Sequence, residues 1–148
     1  MITLNLPVYE FRFKEAALKT LIFDDIRKKY IVLTSEEWVR QNFIRFLINE
    51  KRFPVSLIAI EKKVTYNTLT KRYDVLIYNN AVPVVLVECK APDVKLTQTA
   101  LDQIARYNFD LKVKYLIVTN GLQHIYCKMD YSNGTYHFIP ELPEFQFL

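Results

Sequence analysis

The sequence predicts an α/β domain in which a central mixed β-sheet is flanked by helices. After a less regular N-terminal stretch, helical and strand-like segments follow in the order α-β-β-β-α-β-β-β. Of the 148 residues, 51% are hydrophobic and 24% are charged, a composition that excludes disordered and collagen-like classes. We expect one domain, 1–148, in which residues 1–33 form a lead-in that packs on the core.

The clearest helix start lies at Thr34. The run TSEE that begins there fits a capping box, with Thr34 as the cap and Glu37 reaching back to it. On a helical wheel with about 100° per residue, the apolar face consists of Val39, Phe43, Ile44, Phe46 and Leu47. Glu36 and Arg40 both fall within this face. Pro54 ends this helical region.

The other elements are indicated by short β-rich runs that are closed by turn residues. The predicted strands are 55–64, 72–78, 82–90, 114–119, 123–129 and 135–139, and the second predicted helix is 96–111. Asn79, Asn80 and Ala81 are typical of a tight turn, and they join the second strand to the third. The core is therefore predicted as α-β-β-β-α-β with a C-terminal hairpin.

Composition excludes several function classes. Gly121 and Gly134 are the only glycines, so a glycine-rich phosphate loop cannot form, and a P-loop motor and a dinucleotide fingerprint are excluded. Cys89 and Cys127 lie far apart in strand-like runs, which indicates buried free thiols in a reducing compartment and not a zinc site. With neither a signal-peptide pattern nor a long apolar run, we expect a soluble, cytoplasmic protein. The net charge of +4 permits a polyanionic partner without requiring one.

Charged side chains inside two apolar strands are the candidates for chemistry. In the run RYDVLIY, Asp74 shares a strand face with Leu76, and in VVLVECK, Glu88 shares a face with Lys90. Burying such groups is unfavourable unless they compensate each other or bind a cation. Pairing through the Asn79 turn would bring Asp74 and Glu88 together, and two close carboxylates repel unless a proton or metal lies between them.

Carboxylate oxygens with room for water favour Mg²⁺ or Mn²⁺. Such an ion stabilises charge on a phosphodiester and activates a water molecule. We expect Lys90 to orient or deprotonate that water, or to stabilise the charge of the phosphorane.

Asp74 followed by Glu88-Cys89-Lys90 resembles the motif of the PD-(D/E)xK nuclease superfamily, with Tyr73 in place of the proline. The Q-x-x-x-Y pair Gln103 and Tyr107 on the next helix and the element order add to the resemblance. More closely, residues 33–139 resemble the N-terminal nuclease domain of the restriction (R) subunit of type I restriction enzymes. The stretches that carry this likeness are TSEEWVRQNFIRFLI, RYDVLIY, VPVVLVECKAP, LDQIARYN and YLIVTNGLQH.

The resemblance implies a restriction-endonuclease-like fold and a Mg²⁺-dependent (or Mn²⁺-dependent) DNA endonuclease. The implied metal ligands are Asp74, Glu88 and the backbone carbonyl of Cys89. The implied catalytic residues are Asp74, Glu88, Lys90, Gln103 and an acid of the first helix. For that acid we favour Glu36 over Glu37, because Glu37 is assigned to the cap.

The residues expected to contact DNA are Gln103, Tyr107, Lys63 and Arg72, although the same basic run also fits a solvated hairpin surface. Two further alternatives stay open. In the first, Asp74 is the partner of Arg72 in a surface ion pair. In the second, Glu88 and Lys90 form a solvent-facing pair on an edge strand.

Full R subunits of the resembled family carry an ATP-driven motor after the nuclease domain, and no Walker sequence is present here. We therefore expect a free-standing nuclease-like protein or a module that works with a motor or specificity subunit. The second interpretation is a non-catalytic module that binds DNA or a partner subunit, and the third is a purely structural domain.

Overall fold

The computed structural model describes residues 1–148, except for the side chain of Tyr66. The helices are α1 (Ser35–Asn49) and α2 (Gln98–Tyr107). A small antiparallel sheet, the N-terminal meander, consists of β1 (Phe13–Ala16), β2 (Lys19–Asp24) and β3 (Lys29–Val32). The main sheet consists of β4 (Ile58–Tyr66), β5 (Leu69–Asn79), β6 (Val82–Cys89), β7 (Tyr115–Thr119), β8 (His124–Asp130) and β9 (Thr135–Ile139).

The main sheet is mixed and has a helix on each face. Its strands lie in sequence order from β4 to β9, and every neighbouring pair is antiparallel except β6 and β7, which are parallel and are connected through α2. Val39 and Phe43 of α1 pack with Val75 in one buried cluster, whereas Leu101 of α2 packs with Leu76 in the other. The α/β class, the mixed sheet and the flanking helices are therefore confirmed. None of the helices along the described chain is long and apolar enough to cross a membrane.

The turn between β5 and β6 is confirmed at its predicted place. Asn80 and Ala81 both have positive φ angles, 52° and 64°, the backbone geometry that suits a two-residue hairpin of strands with a right-handed twist. Next to the turn Asn79 pairs with Val82, and an irregularity between Ile77 and Tyr78 shifts the register by one residue, so that Val75 pairs with Val87. This register fixes which residues of the two strands meet at the far end of the hairpin.

The start of α1 is confirmed, but its capping box is only half formed. Thr34 Oγ1 accepts a hydrogen bond from the Glu37 backbone N–H at 3.0 Å. The prediction that the Glu37 carboxylate returns to the cap is wrong, since this side chain is buried and binds Arg27 and Arg40 instead. Two cations offer a carboxylate stronger hydrogen bonds than a neutral backbone N–H does.

Several other elements differ from the sequence prediction. Residues Val55–Leu57, predicted as strand, form a 3₁₀ turn after Pro54. The second helix ends at Tyr107, and a separate 3₁₀ turn continues to Leu111. The lead-in segment 1–33 contains the complete N-terminal meander.

Gly121 anchors the N-terminal segment to the main sheet. Its carbonyl accepts from the Asn5 N–H at 2.8 Å, and its φ of 84° is one that side-chain-bearing residues rarely adopt. A Cβ atom at Gly121 would lie 2.6 Å from Leu4 Cδ2 and 3.1 Å from Val39 Cγ2.

We expect Gly121→Ala to lower the free energy of unfolding by about 2–3 kcal/mol, because it adds a clash to the strain of a positive φ. Gly134→Ala is the matched control: its φ is 65°, and a Cβ there meets nothing within 4 Å. Urea denaturation of both variants measures the difference. Equal losses would show that the contact with Leu4 contributes nothing.

Candidate active site

Asp74 and Glu88 lie at the end of β5 and β6 that is remote from the hairpin turn. The described ladder ends at the pair of Val75 and Val87, and the same register continued by one residue sets Asp74 opposite Glu88. At this point the backbone N–H of Cys89 donates to a side-chain oxygen, Asp74 Oδ2, at 2.7 Å, and not to a backbone carbonyl of β5. The two carboxylates therefore lie at the same end of adjacent strands, and the charge of Asp74 is one of the causes that raise the pKa of Glu88.

Glu88 has the most strongly raised pKa among the carboxylates of this region. Burial, followed by the negative charge of Asp74, raises the pKa of Glu88 to about 7, while the ammonium of Lys90 opposes the rise. A group that titrates near neutrality in a polar cluster is typical of a functional site. Its environment is one in which a cation would stabilise the ionised form.

Glu36 lies at the solvent-exposed rim of the same cluster. Burial and then the charge of Asp74 raise the pKa of Glu36, whereas Arg40 and Lys90 lower it. The side chain is 48% exposed, and its Oε1 lies 3.4 Å from Arg40 Nη2. The predicted residues Glu36, Asp74, Glu88 and Lys90 are thus close enough to influence one another.

The sequence interpretation missed the role of Arg40. The residue is 5% exposed. Its Nε donates to Asp74 Oδ1 at 2.7 Å, and its Nη2 forms an ion pair with the same oxygen at 2.6 Å. The ion pair of Asp74 is therefore with Arg40, and the alternative of a surface pair with Arg72 is wrong. The available signal was Arg40 itself, a cation on the apolar face of a helix, which has to find a buried carboxylate.

Behind Arg40 lies a network of alternating charges, which we call the buried network. Glu37 accepts from Arg40 Nη1 at 2.6 Å and from Arg27 Nη2 at 3.0 Å, and Arg27 also pairs with Asp24. Gln41 donates to both Asp24 and Glu37. Asp24 is 1% exposed and Glu37 is 4% exposed, so the charges depend on each other for compensation.

The residues expected to bind DNA are all exposed. Gln103 and Tyr107 are both exposed on α2, and Lys71 Nζ lies 4.3 Å from the centre of the Tyr107 ring. Lys63 and Arg72 are exposed cross-strand partners on β4 and β5. Among the described side chains, Gln103 makes no hydrogen bond to the carboxylate cluster, and its role in catalysis stays a prediction.

The oxygen atoms at the cluster are donors of the kind that divalent cations bind, but the side chains alone are too few to form a complete coordination shell. Asp74 Oδ1 accepts from Arg40 and Oδ2 accepts from Cys89, which leaves one lone pair on Oδ2. In the part of the chain that the structure describes, no three His, Cys, Asp or Glu side chains form a ready metal cluster. A cation would therefore depend on Asp74, Glu88, a backbone carbonyl such as that of Cys89, and water, a set typical of Mg²⁺.

Residues 35–143 match the model of a known family, described as Type I restriction enzyme R protein N terminus (HSDR_N). The chain belongs to this family. The match confirms the resemblance found in the sequence. It includes α1 and every residue of the carboxylate cluster, whereas the N-terminal meander lies before it.

The R protein family is also represented among solved structures with a similar fold. A fragment of an HsdR subunit of a type I restriction enzyme from Vibrio vulnificus YJ016 superposes with a TM-score of 0.51 at 20% sequence identity. The alignment covers 75% of this chain and 24% of that chain, so this chain spans about a quarter of that relative. No curated protein shows a significant match to the sequence.

Proposed function

We propose that this R protein N-terminal domain is a Mg²⁺- or Mn²⁺-dependent DNA endonuclease module of the PD-(D/E)xK type. One observation carries the proposal: Val75 pairs with Val87, so the neighbouring Asp74 and the partly buried Glu88 lie at the same end of adjacent strands, in a sheet that is otherwise apolar at its centre. The charges of Asp74 and Lys90 both act on Glu88. Buried charges seldom stabilise a fold. The presence of two carboxylates and an ammonium here is therefore explained more simply by binding of a cation and a phosphodiester than by a contribution to stability.

Each residue has a distinct role in the proposed reaction. Asp74 and Glu88 hold the cation, with the Cys89 carbonyl as a third ligand. When bound, the cation would stabilise charge on the phosphodiester and activate a water molecule. Lys90 places an ammonium where it orients the attacking water or stabilises the charge of the phosphorane. Glu36 completes the cluster at the rim, where it is 48% exposed.

DNA is the proposed substrate, and the basic β4–β5 hairpin supplies a surface for its backbone. Lys63 and Arg72 face each other across the two strands, and the neighbouring Lys71 lies against Tyr107. Contacts of this kind neutralise phosphates, so affinity for DNA should fall as salt rises. Family membership supports a further proposal, that the domain works with a motor or specificity subunit.

A second candidate function is a non-catalytic module that binds DNA or a partner subunit. The observation that favours it is the ion pair of Asp74 with Arg40, which already compensates one of the two proposed metal ligands. The two candidates differ in whether the domain cuts DNA and whether it binds a divalent cation.

We expect the purified domain to nick supercoiled plasmid in the presence of Mn²⁺, and Lys90→Ala to slow nicking by about 100-fold or more. Lys19→Ala is the matched control, because Lys19 is exposed on β2 of the N-terminal meander. Gel electrophoresis of the plasmid measures the rates. DNA binding without nicking would favour the non-catalytic module, and nicking that Lys90→Ala leaves unchanged would refute the proposed site.

A further inference from the structure

A buried guanidinium fixes the Asp74 carboxylate from the side of α1. Arg40 Nε donates to Oδ1 at 2.7 Å, and Arg40 Nη2 forms an ion pair with the same oxygen at 2.6 Å. A planar guanidinium imposes a direction on its partner as well as a charge. We infer that Arg40 is a positioning residue for the candidate metal centre and that Glu37 and Arg27 hold it in place. The inference rests on the proposed function, since it concerns the same carboxylate.

The contacts of Asp74 leave Oδ2 as the more accessible oxygen for a cation. Oδ1 accepts from Arg40 Nε and also lies 2.6 Å from Arg40 Nη2, whereas the Cys89 N–H takes one lone pair of Oδ2. The carboxylate is thus held at both oxygens, by a helix on one side and by the neighbouring strand on the other. Its remaining acceptor site is oriented before any ligand arrives, which lowers the entropic penalty of binding.

Arg40 in turn has no freedom to leave this position. Its Nη1 binds Glu37 Oε1 at 2.6 Å, and Glu37 is bound at both oxygens by Arg27 Nη2, at 3.0 Å each. Arg27 follows β2 and is tied to Asp24 through its side chain and its backbone N–H. The N-terminal meander, which lies outside the family match, therefore supports a residue of the candidate site through two intermediates.

A role limited to charge compensation makes a different prediction from a positioning role. Arg40→Lys retains the positive charge beside Asp74 and Glu37 but removes the planar pair of donors. If Arg40 only neutralises its neighbours, this substitution leaves the affinity for a cation unchanged. If Arg40 positions Asp74, the affinity falls, as it does when the outer partners of metal ligands are removed.

The experiment is a calorimetric titration of Mn²⁺ into the metal-free wild type and its variants. We expect Arg40→Lys to bind Mn²⁺ about 10–100-fold more weakly than the wild type. Arg45→Lys is the matched control, because Arg45 lies on the same helix and binds Asp25 at 2.7 Å on the surface. Its affinity for Mn²⁺ should equal that of the wild type. Circular dichroism confirms that each variant is folded.

The outcomes separate this inference from the proposed function. If Glu88→Gln abolishes Mn²⁺ binding but Arg40→Lys binds as well as the wild type, the positioning role is overturned and the metal centre stands. If the wild type binds no Mn²⁺, both are overturned. Should Arg40→Lys fail to fold, Arg27→Lys takes its place: affinity several-fold below that of the wild type supports the inference, and unchanged affinity overturns it.

Discussion

Replacing Glu37 by alanine should lower the free energy of unfolding by about 3–5 kcal/mol, one of the largest effects that a single substitution would have here. Glu37 is 4% exposed and lies between the guanidinium groups of Arg27 and Arg40. Its removal leaves two buried cations facing each other without the shared carboxylate. The loss is large because the remaining charges are uncompensated, even if the intact network adds little net stability.

Urea denaturation followed by circular dichroism gives the free energy of unfolding of the Glu37→Ala variant. Glu50→Ala is a suitable control, because Glu50 is an exposed carboxylate at the C-terminal end of the same helix. We expect that control to change stability by no more than about 0.5 kcal/mol. A loss below about 1 kcal/mol for Glu37→Ala would mean that the buried network does not hold α1 to the meander.

The second large effect has the opposite sign. We expect Glu88→Gln to stabilise the metal-free domain at about pH 8, because it removes a charge that burial and Asp74 disfavour. The pKa of Glu88 is raised from 4.5 to about 7 in the folded state. By linkage, a shift of this size corresponds to at most about 3 kcal/mol, or several degrees in the melting temperature.

The pH dependence of this effect follows from the direction of the shift. Below the unfolded pKa, Glu88 is protonated in both states and the substitution changes little. As the pH rises towards 7, Glu88 releases its proton in the unfolded chain before it does so in the folded protein. The stability contributed by protonated Glu88 therefore falls through this range, and none of it remains above the folded pKa. The advantage of Glu88→Gln should therefore be absent at about pH 4 and complete at about pH 8.

Thermal melts of wild type and Glu88→Gln at both pH values, without divalent cations, test this expectation. Glu10→Gln serves as the control, since Glu10 is exposed and lies in the N-terminal segment. Equal melting temperatures for Glu88→Gln and wild type at about pH 8 would show that Glu88 is not electrostatically disfavoured. In that case the strongest support for a cation at this place would be removed.

The parts of the fold that sequence alone could predict are those with a local physical cause. The start of α1 depends on the Thr34 hydroxyl and a nearby backbone N–H, and the β5–β6 turn depends on Asn80 and its neighbour. Because each of these causes acts within three residues, the predictions of the helix start and of the turn were both correct. The turn explains why the ends of β5 and β6 that carry Asp74 and Glu88 come together, but the exact register also depends on the irregularity between Ile77 and Tyr78, which was not predicted.

The parts that were missed depend on partners far apart in the chain. Arg40 meets Asp74 across 34 positions, and Gln41 meets Asp24 across 17. A helical wheel shows that Arg40 is inside the apolar face, but it does not show which carboxylate lies opposite. For the same reason Glu37 was assigned to the nearest backbone group, although it binds Arg27, ten positions earlier in the chain, as well as Arg40 on its own helix.

The central claim is that Asp74 and Glu88 bind one divalent cation between β5 and β6. A crystal of the domain soaked in Mn²⁺, with anomalous scattering data, tests it most directly. We expect one Mn²⁺ bonded to a carboxylate oxygen from each residue, at about 2.0–2.4 Å. A soaked crystal without a peak at this place, or with Mn²⁺ bound only elsewhere on the surface, would contradict the claim.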